Sequence, residues 1–390
     1  MMAYDFDKVI PRRNTECIKF DGAISRGKPA DILPLWVADM DFPAPACILD
    51  ALHERVTHGI FGYSEPGAAY FDALKNWFTG RFGYEFQKQW VTPTPGVVFA
   101  ICAAMQAFTA EGDAVLIQEP VYYPFRSSVE DNRRRLVVNE LQLSDDAYTV
   151  DFSEFERQIA RNNVKMFILC SPHNPGGRVW TADELREMVR ICAKYDVLIL
   201  SDEIHCDFVF RGHRHHVLPA LCPEMQDRII LCTAPSKTFN LAGLQISNIF
   251  ISNQQLRRAF RHAVEQFGYS QVNGLGLVAC RAAYENGAPW LSDLLAYLAE
   301  NMDRINRHLK AHLPAVRLIP PQGTYLAWLD CRALDLTMDA LEHKLVHKAK
   351  LWLSRGDNFG IGGEGFIRLN AACPRQTLET GLARFSETLG

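Results

Sequence analysis

Short apolar runs that alternate with helix-like segments constrain the fold of this chain more than any other feature. Six runs have the length and composition of buried strands: 113–118, 136–141, 165–170, 196–201, 228–233 and 246–251. One intervening segment, which ends at Tyr195, begins with the capping-box residues Thr181 and Glu184. Strands that are apolar along their whole length are typical of sheets covered on both faces. The pattern therefore predicts an α/β fold in which helices sandwich a mostly parallel sheet.

The sequence changes in character after about residue 285. A long helical pattern runs from Trp290 to His312, and strand-like runs follow at 325–329 and 366–370, with another helical segment between them. At 390 residues, the chain is long enough to form two hydrophobic cores. We therefore predict a large domain over 46–285 and a smaller α+β domain, which combines 286–390 with the irregular, proline-rich segment 1–45.

Composition and charge argue against several classes of function. The net charge of −4 disfavours nucleic acid or an anionic membrane surface as the main partner. No apolar run approaches the length of a transmembrane helix, and the charged N-terminus lacks the apolar core of a signal peptide. The eleven cysteines are scattered without a C-x-x-C pair, which favours reduced thiols. A soluble, cytoplasmic protein is therefore expected.

Polar or aromatic residues follow the carboxyl ends of four predicted strands. Tyr122 follows the first, Asn174 another, Asp202 and His205 a third, and Lys237 a fourth. Ligands of parallel sheets bind at this edge. A buried, unpaired ammonium group is costly, and a desolvated lysine becomes a nucleophile suited to Schiff-base chemistry. Each cluster alone could serve packing, and Lys237 alone could lie on a surface loop, but their convergence favours a functional site.

Two further features indicate anion binding. Pro95 and Gly96 precede a helix rich in small residues, and the free N–H groups at such a helix start bind phosphate well. Many helices begin this way without a ligand, so this signal is weak by itself. Arg368 lies within an otherwise apolar strand and therefore needs an anionic partner. That partner is either a protein carboxylate or the carboxylate of a substrate.

Taken together, these residues resemble a known family. The set Gly96-Val97-Val98, Tyr122, Asn174-Pro-Gly176, Asp202-Glu-Ile-His205, Ser236-Lys237 and Arg368 is similar to the fold-type I pyridoxal-phosphate enzymes of the aminotransferase class I/II group. Segments 36–42, 201–205 and 236–243 look most like the cystathionine β-lyase-type C–S lyases of the MalY/PatB group. The resemblance covers nearly the whole chain and implies pyridoxal 5'-phosphate as the cofactor.

The resemblance also implies a role for each matching residue. Lys237 would hold the cofactor as a Schiff base and then remove the substrate Cα proton, while Asp202 would pair with the pyridine nitrogen. The other implied cofactor contacts are Gly96, Val97, Val98, Tyr122, Asn174, His205 and Ser236, and the implied substrate contacts are Arg368, Trp36, Asp39 and Tyr122. Tyr63 would reach the phosphate bound by a neighbouring subunit, which implies a homodimer with shared active sites.

The implied reaction is α,β-elimination from L-cystathionine or a related cysteine S-conjugate, giving a thiol, pyruvate and ammonia. An aminotransferase of a small or aromatic amino acid is the alternative, because both reactions begin with the same proton removal. A regulatory or binding protein that contains the cofactor is a second alternative. Aspartate aminotransferases usually carry tyrosine, arginine and serine where this chain has His205, Gln245 and Ala234. These departures disfavour a dicarboxylate transaminase and agree with the C–S lyase group.

Histidine and glycine clusters carry weaker signals. The segment His213-Arg-His-His216 lacks the further ligands of a metal site and predicts an exposed loop. His343 and His347 share a helix face without the glutamate of a zincin, so they are predicted to lie on the surface. The run Gly360–Gly365 does not join a strand to a dinucleotide-binding helix and is interpreted as a flexible loop near the substrate entrance. No metal site is expected.

Overall fold

The computed structural model describes residues 4–144 and 146–390. Its strands are β1 (Leu33–Pro34), β2 (Val91–Thr94), β3 (Ala114–Glu119), β4 (Arg135–Glu140), β5 (Gln142–Ser144), β6 (Ala147–Thr149), β7 (Val164–Cys170), β8 (Leu198–Asp202), β9 (Ile229–Thr233), β10 (Ser247–Phe250), β11 (Arg317–Leu318), β12 (Leu326–Asp330), β13 (Leu351–Trp352), β14 (Ser354–Arg355) and β15 (Phe366–Asn370). The six strands predicted from apolar runs are all present, within two residues of the predicted bounds.

The helices occupy the segments between these strands. They are α1 (Ala46–His58), α2 (Ala68–Phe82), α3 (Val97–Phe108), α4 (Pro124–Asp131), α5 (Phe152–Asn162), α6 (Ala182–Lys194), α7 (Leu218–Leu221), α8 (Pro235–Thr238), α9 (Gln254–Gln266), α10 (Gly274–Asn286), α11 (Ala288–His312), α12 (Met338–His343) and α13 (Arg375–Leu389). The predicted capping box at the start of α6 is confirmed, because Thr181 and Glu184 each bond the other's backbone N–H. Within the described ranges, none of the helices is both long enough and apolar enough to cross a membrane.

A seven-stranded sheet forms the centre of the molecule, in the order β2-β10-β9-β8-β7-β3-β4. The pairs that join β9, β8, β7, β3 and β4 are parallel, while β10 runs antiparallel to both of its neighbours. Successive strand residues enter different cores: Leu116 and Phe167 pack with α5 and α6, whereas Ile117 and Ile168 pack with α3 and α9. Helices therefore cover both faces, and the predicted α/β class is confirmed.

A second, antiparallel sheet has the order β11-β12-β15-β14. Its core includes apolar residues of α11, α12 and α13. The strand β1 pairs in parallel with β13, which ties the N-terminal segment to this part of the chain. The domain bounds 46–285 and 286–390 remain a prediction, and residues 1–3 of the predicted N-terminal segment lie outside the described residues.

Candidate active site

A cavity of about 480 Å³ lies at the carboxyl ends of the parallel strands. The strands β3, β7, β8 and β9 each lead directly into a segment that lines it. Its walls contain most of the predicted site residues: Trp36, Gly96, Val97, Val98, Tyr122, Asn174, Asp202, His205, Ser236, Lys237 and Arg368. The convergence expected from the strand ends is therefore present. A cavity of similar size beside Pro66 and Arg261 contains none of these residues.

Lys237 lies on the single-turn helix α8, which begins two residues after β9 ends. Its Nζ donates a hydrogen bond of 2.7 Å to the carbonyl oxygen of Ala38, which also accepts one from the Tyr325 hydroxyl. Burial lowers the pKa of Lys237 to about 8, and Arg368 acts in the same direction, whereas Asp39 and Asp202 oppose it. About a tenth of the amine is therefore uncharged at pH 7, far more than for an ordinary lysine, and the uncharged form is the one that a nucleophile or base requires.

Asp202 ends β8 with its carboxyl group at the cavity. Burial, together with the neighbouring Glu203, raises the pKa of Asp202 to about 7. Two groups oppose this shift: the backbone N–H of Ile204, which donates at 3.1 Å, and the charge of Lys237. A carboxylate with a raised proton affinity is a strong partner for a protonated nitrogen base.

Arg368 lies on β15 and is only 3% exposed. Its guanidinium donates to the Asn174 side-chain oxygen at 3.1 Å, the Trp36 carbonyl oxygen at 2.9 Å and the Ser354 hydroxyl at 3.3 Å, and its Nε has no partner. Burial lowers its pKa to about 10. Within the described chain, no carboxylate forms an ion pair with Arg368, so the expected alternative of a protein carboxylate partner is wrong there. The side chain is a buried cation that lacks an anion.

Two aromatic side chains of the cavity stay uncharged near neutral pH. Burial lowers the pKa of His205 to about 3, and the charges of Lys237 and Arg368 add to this effect. Its buried Nδ1 has no hydrogen-bond partner. Burial raises the pKa of Tyr122 to about 12, so its hydroxyl remains protonated. A buried, unpartnered ring nitrogen on a residue that lines a cavity fits a polar ligand group better than an apolar one.

The start of α3 lines the cavity and carries free hydrogen-bond donors. Gly96 precedes the helix, and Val97 and Val98 begin it, so their N–H groups have no partner within the helix. Ser236 lines the same cavity. Gln245 also lines it, where aspartate aminotransferases usually carry arginine, so anion binding at this end depends on neutral donors and the helix dipole.

The segment 36–42 lines the cavity with its first three residues and is fixed by two asparagines. Asn240 accepts a hydrogen bond from Met40 N at 3.0 Å, and it donates to the carbonyl oxygens of Met40 and Phe42 at 2.8 and 2.9 Å. Asn370 donates to the carbonyl oxygens of Val37 and Asp39 at 2.7 and 2.6 Å. This part of the cavity wall is therefore positioned through its backbone.

We expect Asn240→Ala to lower the free energy of unfolding by about 2–4 kcal/mol. The variant loses three hydrogen bonds to buried backbone groups and places alanine at a φ of 58°, which asparagine tolerates better. Asn240→Gly loses the same bonds without the backbone strain, so it should recover about 1 kcal/mol of that loss. Urea denaturation of both variants measures the difference, and equal stability of Asn240→Ala and wild type would contradict the expectation.

Two predicted site residues do not line the cavity of their own chain. The Asp39 carboxylate is bound by Arg12, with oxygen–nitrogen distances of 3.2 and 2.6 Å, so the geometry does not support direct contact with a substrate. Tyr63 is 93% exposed and lies beside Phe61, away from the cavity. Its predicted contact with a phosphate of a neighbouring subunit stays a prediction.

The structure also contains cavity residues that were not identified from the sequence. Ser354 donates to the Trp36 carbonyl oxygen at 3.0 Å and contacts Arg368, while Val37 and Tyr123 complete an apolar wall. Ser354 begins the two-residue strand β14, and a lone serine there carries no sequence signal. Tyr123 could have been found, because it stands beside Tyr122 directly after a strand end.

The histidine cluster at 213–216 requires a correction. His213 is exposed, but His215 is buried and its Nε2 lies 2.7 Å from Oε2 of Glu203, so the prediction of an exposed loop is wrong at this residue. The physical reason is Glu203, a fully buried carboxyl group that needs hydrogen-bond donors. His343 and His347 are exposed, as predicted.

Two remaining predictions concern the glycine-rich run and metal binding. The run 360–365 packs against Glu119, whose Oε2 accepts a bond of 2.8 Å from Ile361 N; its predicted flexibility stays a prediction. Across residues 4–144 and 146–390, no group of three or more histidine, cysteine, aspartate or glutamate side chains could hold a metal ion.

Comparison with known proteins places this geometry in a family. The profile of the family described as aminotransferase class I and II matches residues 30–385. The chain is 41% identical over 385 residues to the cystathionine β-lyase PatB of Bacillus subtilis (strain 168), covering 99% of this chain and 100% of that protein. It is 37% identical over 382 residues to protein MalY of Escherichia coli (strain K12), covering 97% of each.

A solved structure is similar to this chain along its whole length. Cystalysin from Treponema denticola, which contains a pyridoxal 5'-phosphate cofactor, matches with a TM-score of 0.95 and 36% identity, covering 100% of this chain and 99% of that chain. The family profile spans most of the sequence, and the relatives are similar from end to end. The chain belongs to the aminotransferase class I and II family.

Proposed function

We propose that the protein is a pyridoxal-phosphate-dependent C–S β-lyase that cleaves L-cystathionine or a related cysteine S-conjugate. The observation that carries the proposal is the buried, anion-free Arg368 in the same cavity as Lys237 and Asp202. The phosphate of the cofactor is one anion, and the α-carboxylate of an amino-acid substrate is a second. A site that bound only the cofactor would not need a buried cation for this second anion. The relative from B. subtilis is named a cystathionine β-lyase, which supports the same reaction.

The donor set of the cavity fits the proposed cofactor. Lys237 offers an amine of lowered pKa for covalent attachment, and Asp202 offers a carboxyl group for the pyridine nitrogen. The start of α3 and Ser236 offer neutral donors for the phosphate, and the unpartnered Nδ1 of His205 remains for a polar ring substituent. When bound, pyridoxal phosphate supplies an electron sink for the bonding pair left at the substrate Cα.

The chain's own residues then handle the substrate. Arg368 binds the α-carboxylate with charge-assisted hydrogen bonds and thereby fixes the orientation of the Cα–H bond. The uncharged amine of Lys237 takes the Cα proton. A Cα–Cβ double bond forms as the Cβ–S bond breaks, and the thiolate leaves with the bonding pair. Hydrolysis of the remaining three-carbon fragment gives pyruvate and ammonia.

The rest of the cavity wall favours a lyase over a dicarboxylate aminotransferase. Among the described residues that line it, Lys237 and Arg368 are the only lysine and arginine side chains. A second carboxylate one or two methylene groups from Cα, as in aspartate or glutamate, would therefore meet Trp36, Val37 and Tyr123 instead of a cation. The second carboxylate of cystathionine lies beyond the sulfur and is paired with its own ammonium group. An aminotransferase that acts on a small or aromatic amino acid remains the rival, because this wall would also accept its substrate.

We further propose a homodimer with shared active sites in a reducing, cytoplasmic environment. Ile60, Phe61 and Tyr63 are 65%, 63% and 93% exposed on one short segment, which is an unusual density of exposed apolar surface. A second copy of the chain would cover it and could bring Tyr63 to the neighbouring cavity. All eleven cysteines are free, which agrees with a reducing compartment.

Product analysis tests the proposed reaction. The loaded enzyme is incubated with L-cystathionine alone and, separately, with L-alanine and 2-oxoglutarate. We expect pyruvate and ammonia from cystathionine without any keto-acid acceptor. Glutamate formed from the second mixture, without pyruvate from the first, would instead identify an aminotransferase. If neither mixture gives product while the cofactor is bound, the protein is a binding or regulatory protein.

A further inference from the structure

A buried carboxyl–imidazole pair lies next to Asp202 but outside the cavity. Glu203 is 0% exposed, and each of its carboxyl oxygens has a partner. Oε1 accepts hydrogen bonds from the Ser201 hydroxyl at 2.8 Å and from Leu218 N at 3.0 Å, and Oε2 lies 2.7 Å from Nε2 of His215. His215 is itself buried. Neither residue is among those that line the candidate active site, so binding of substrate does not explain the pair.

Both carboxyl oxygens of Glu203 are held by these contacts, on one side by the Ser201 hydroxyl and Leu218 N and on the other by His215. The contacts therefore fix the position of the Glu203 carboxyl group one residue away from Asp202.

Besides burial, Glu203 raises the pKa of Asp202, which lies in a sparsely charged environment. The titratable groups that face Asp202 are Lys237, Tyr122, Cys170, Cys232 and Glu203. Those that face Glu203 and His215 are Tyr84, Cys206, Cys232, Asp207 and His216, and Asp207 is paired with Arg81 at 2.9 Å. Burial keeps the tyrosine and cysteine side chains of these sets neutral near pH 7, so Lys237 and Glu203 dominate the field at Asp202.

We propose that Glu203, oriented by His215, is a positioning residue that strengthens Asp202 as the proton acceptor for the cofactor ring nitrogen. The inference rests on the proposed function, which places that nitrogen beside Asp202. A negative charge behind Asp202 favours a proton on the Asp202–nitrogen pair, because like charges repel and the proton relieves this repulsion. A protonated ring withdraws electrons more strongly from Cα, so Glu203 would support catalysis without touching the substrate.

The variant Glu203→Gln tests this role because it removes the charge and preserves the shape. Its side-chain oxygen can still accept from Ser201 and Leu218, and its amide can donate to His215 in the other tautomer. Asp330→Asn is the matched control, since Asp330 is a buried carboxylate that pairs with Arg332 in the smaller sheet. A second variant, His215→Gln, retains both a donor to Glu203 and the charge of Glu203.

The measurement uses each protein loaded with pyridoxal phosphate that carries ¹⁵N at the ring nitrogen. The ¹⁵N chemical shift is followed against pH, and the cofactor dissociation constant is measured at neutral pH. We expect the midpoint of ring deprotonation to fall by about one pH unit in Glu203→Gln. We expect no change in Asp330→Asn and no decrease in His215→Gln. If the ring stays protonated across the accessible range, about tenfold weaker cofactor binding in Glu203→Gln alone is the expected result.

The outcomes separate this inference from the proposed function. A midpoint and a dissociation constant in Glu203→Gln equal to those of wild type would overturn the inference and leave the proposed function intact. A decrease of the ring-deprotonation midpoint by about one pH unit in His215→Gln, which keeps the Glu203 side chain, would also overturn the inference. This second test holds even if Glu203→Gln does not fold. A wild-type protein that fails to bind the cofactor would overturn the proposed function, and this inference with it.

Discussion

Replacing Lys237 with alanine is expected to reduce pyruvate formation from L-cystathionine by at least about 10³-fold. Loss of a positioned general base alone costs about 10²- to 10⁴-fold, and the variant also loses the covalent attachment of the cofactor. Borohydride reduction followed by mass spectrometry should find the cofactor on Lys237 of the wild type and on no lysine of the variant. Steady-state pyruvate release gives the rate.

Lys88→Ala is the matched control for the lysine variant. Lys88 is exposed, and its Nζ lies 4.8 Å from the centroid of the Phe71 ring, outside the candidate active site. Its removal should leave both the adduct and the rate unchanged. In wild type, cofactor attachment should accelerate up to about pH 8 and then level off, because the amine is then mostly uncharged. An unchanged adduct in Lys237→Ala would refute the assignment of Lys237.

Replacing Arg368 with methionine is expected to lower kcat/KM for L-cystathionine by about 10²- to 10³-fold. The side chain is nearly isosteric, but the α-carboxylate would enter a buried site without a cation, which costs about 2–5 kcal/mol. The cofactor should still attach to Lys237, since no step of attachment uses Arg368. Steady-state kinetics and the absorbance of the loaded protein measure the two effects separately.

Arg332→Met controls for the loss of a guanidinium group in the same part of the fold. The Arg332 side chain lies 4.8 Å from the Phe366 ring centroid, and that of Arg368 lies 4.8 Å from the Phe359 ring centroid. Arg332, however, is paired with Asp330 and does not line the cavity. We expect nearly normal kinetics from this variant. Equal losses in both variants would indicate a structural role for Arg368 in place of carboxylate binding.

Much of the large sheet could be predicted because its strands are apolar along their whole length. The run 228–233 became β9 (Ile229–Thr233), and the strand ends brought Asp202 and Lys237 into one cavity as expected. The direction of β10 could not be predicted, since an apolar run has the same composition whichever way it is oriented. The sequence pattern therefore located the strands but did not establish every pairing.

Where the local sequence was misleading, the physical cause is partnership over long sequence separations. The contact of Asp39 with a substrate stays a prediction, but Arg12 binds the Asp39 carboxylate from 27 residues away. His215 looked exposed within a polar run, but Glu203 holds it in the interior. Arg368 shows the converse, because its need for an anion was evident from the apolar strand around it. Local sequence thus revealed which charges need partners, but not which distant residues supply them.

The hydrogen bonds of segment 36–42 have a thermodynamic consequence. Lys237 donates to the carbonyl oxygen of Ala38, and Arg368 donates to that of Trp36. Both side chains therefore anchor, by hydrogen bonds, a segment that lines the cavity. A ligand that engages either cation competes with a backbone carbonyl for the same protons. Linked equilibria are reciprocal. If ligand binding weakens the anchoring of the segment by some factor, anchoring of the segment lowers the ligand affinity by the same factor. Occupancy of the cavity and anchoring of the N-terminal segment are therefore one coupled equilibrium.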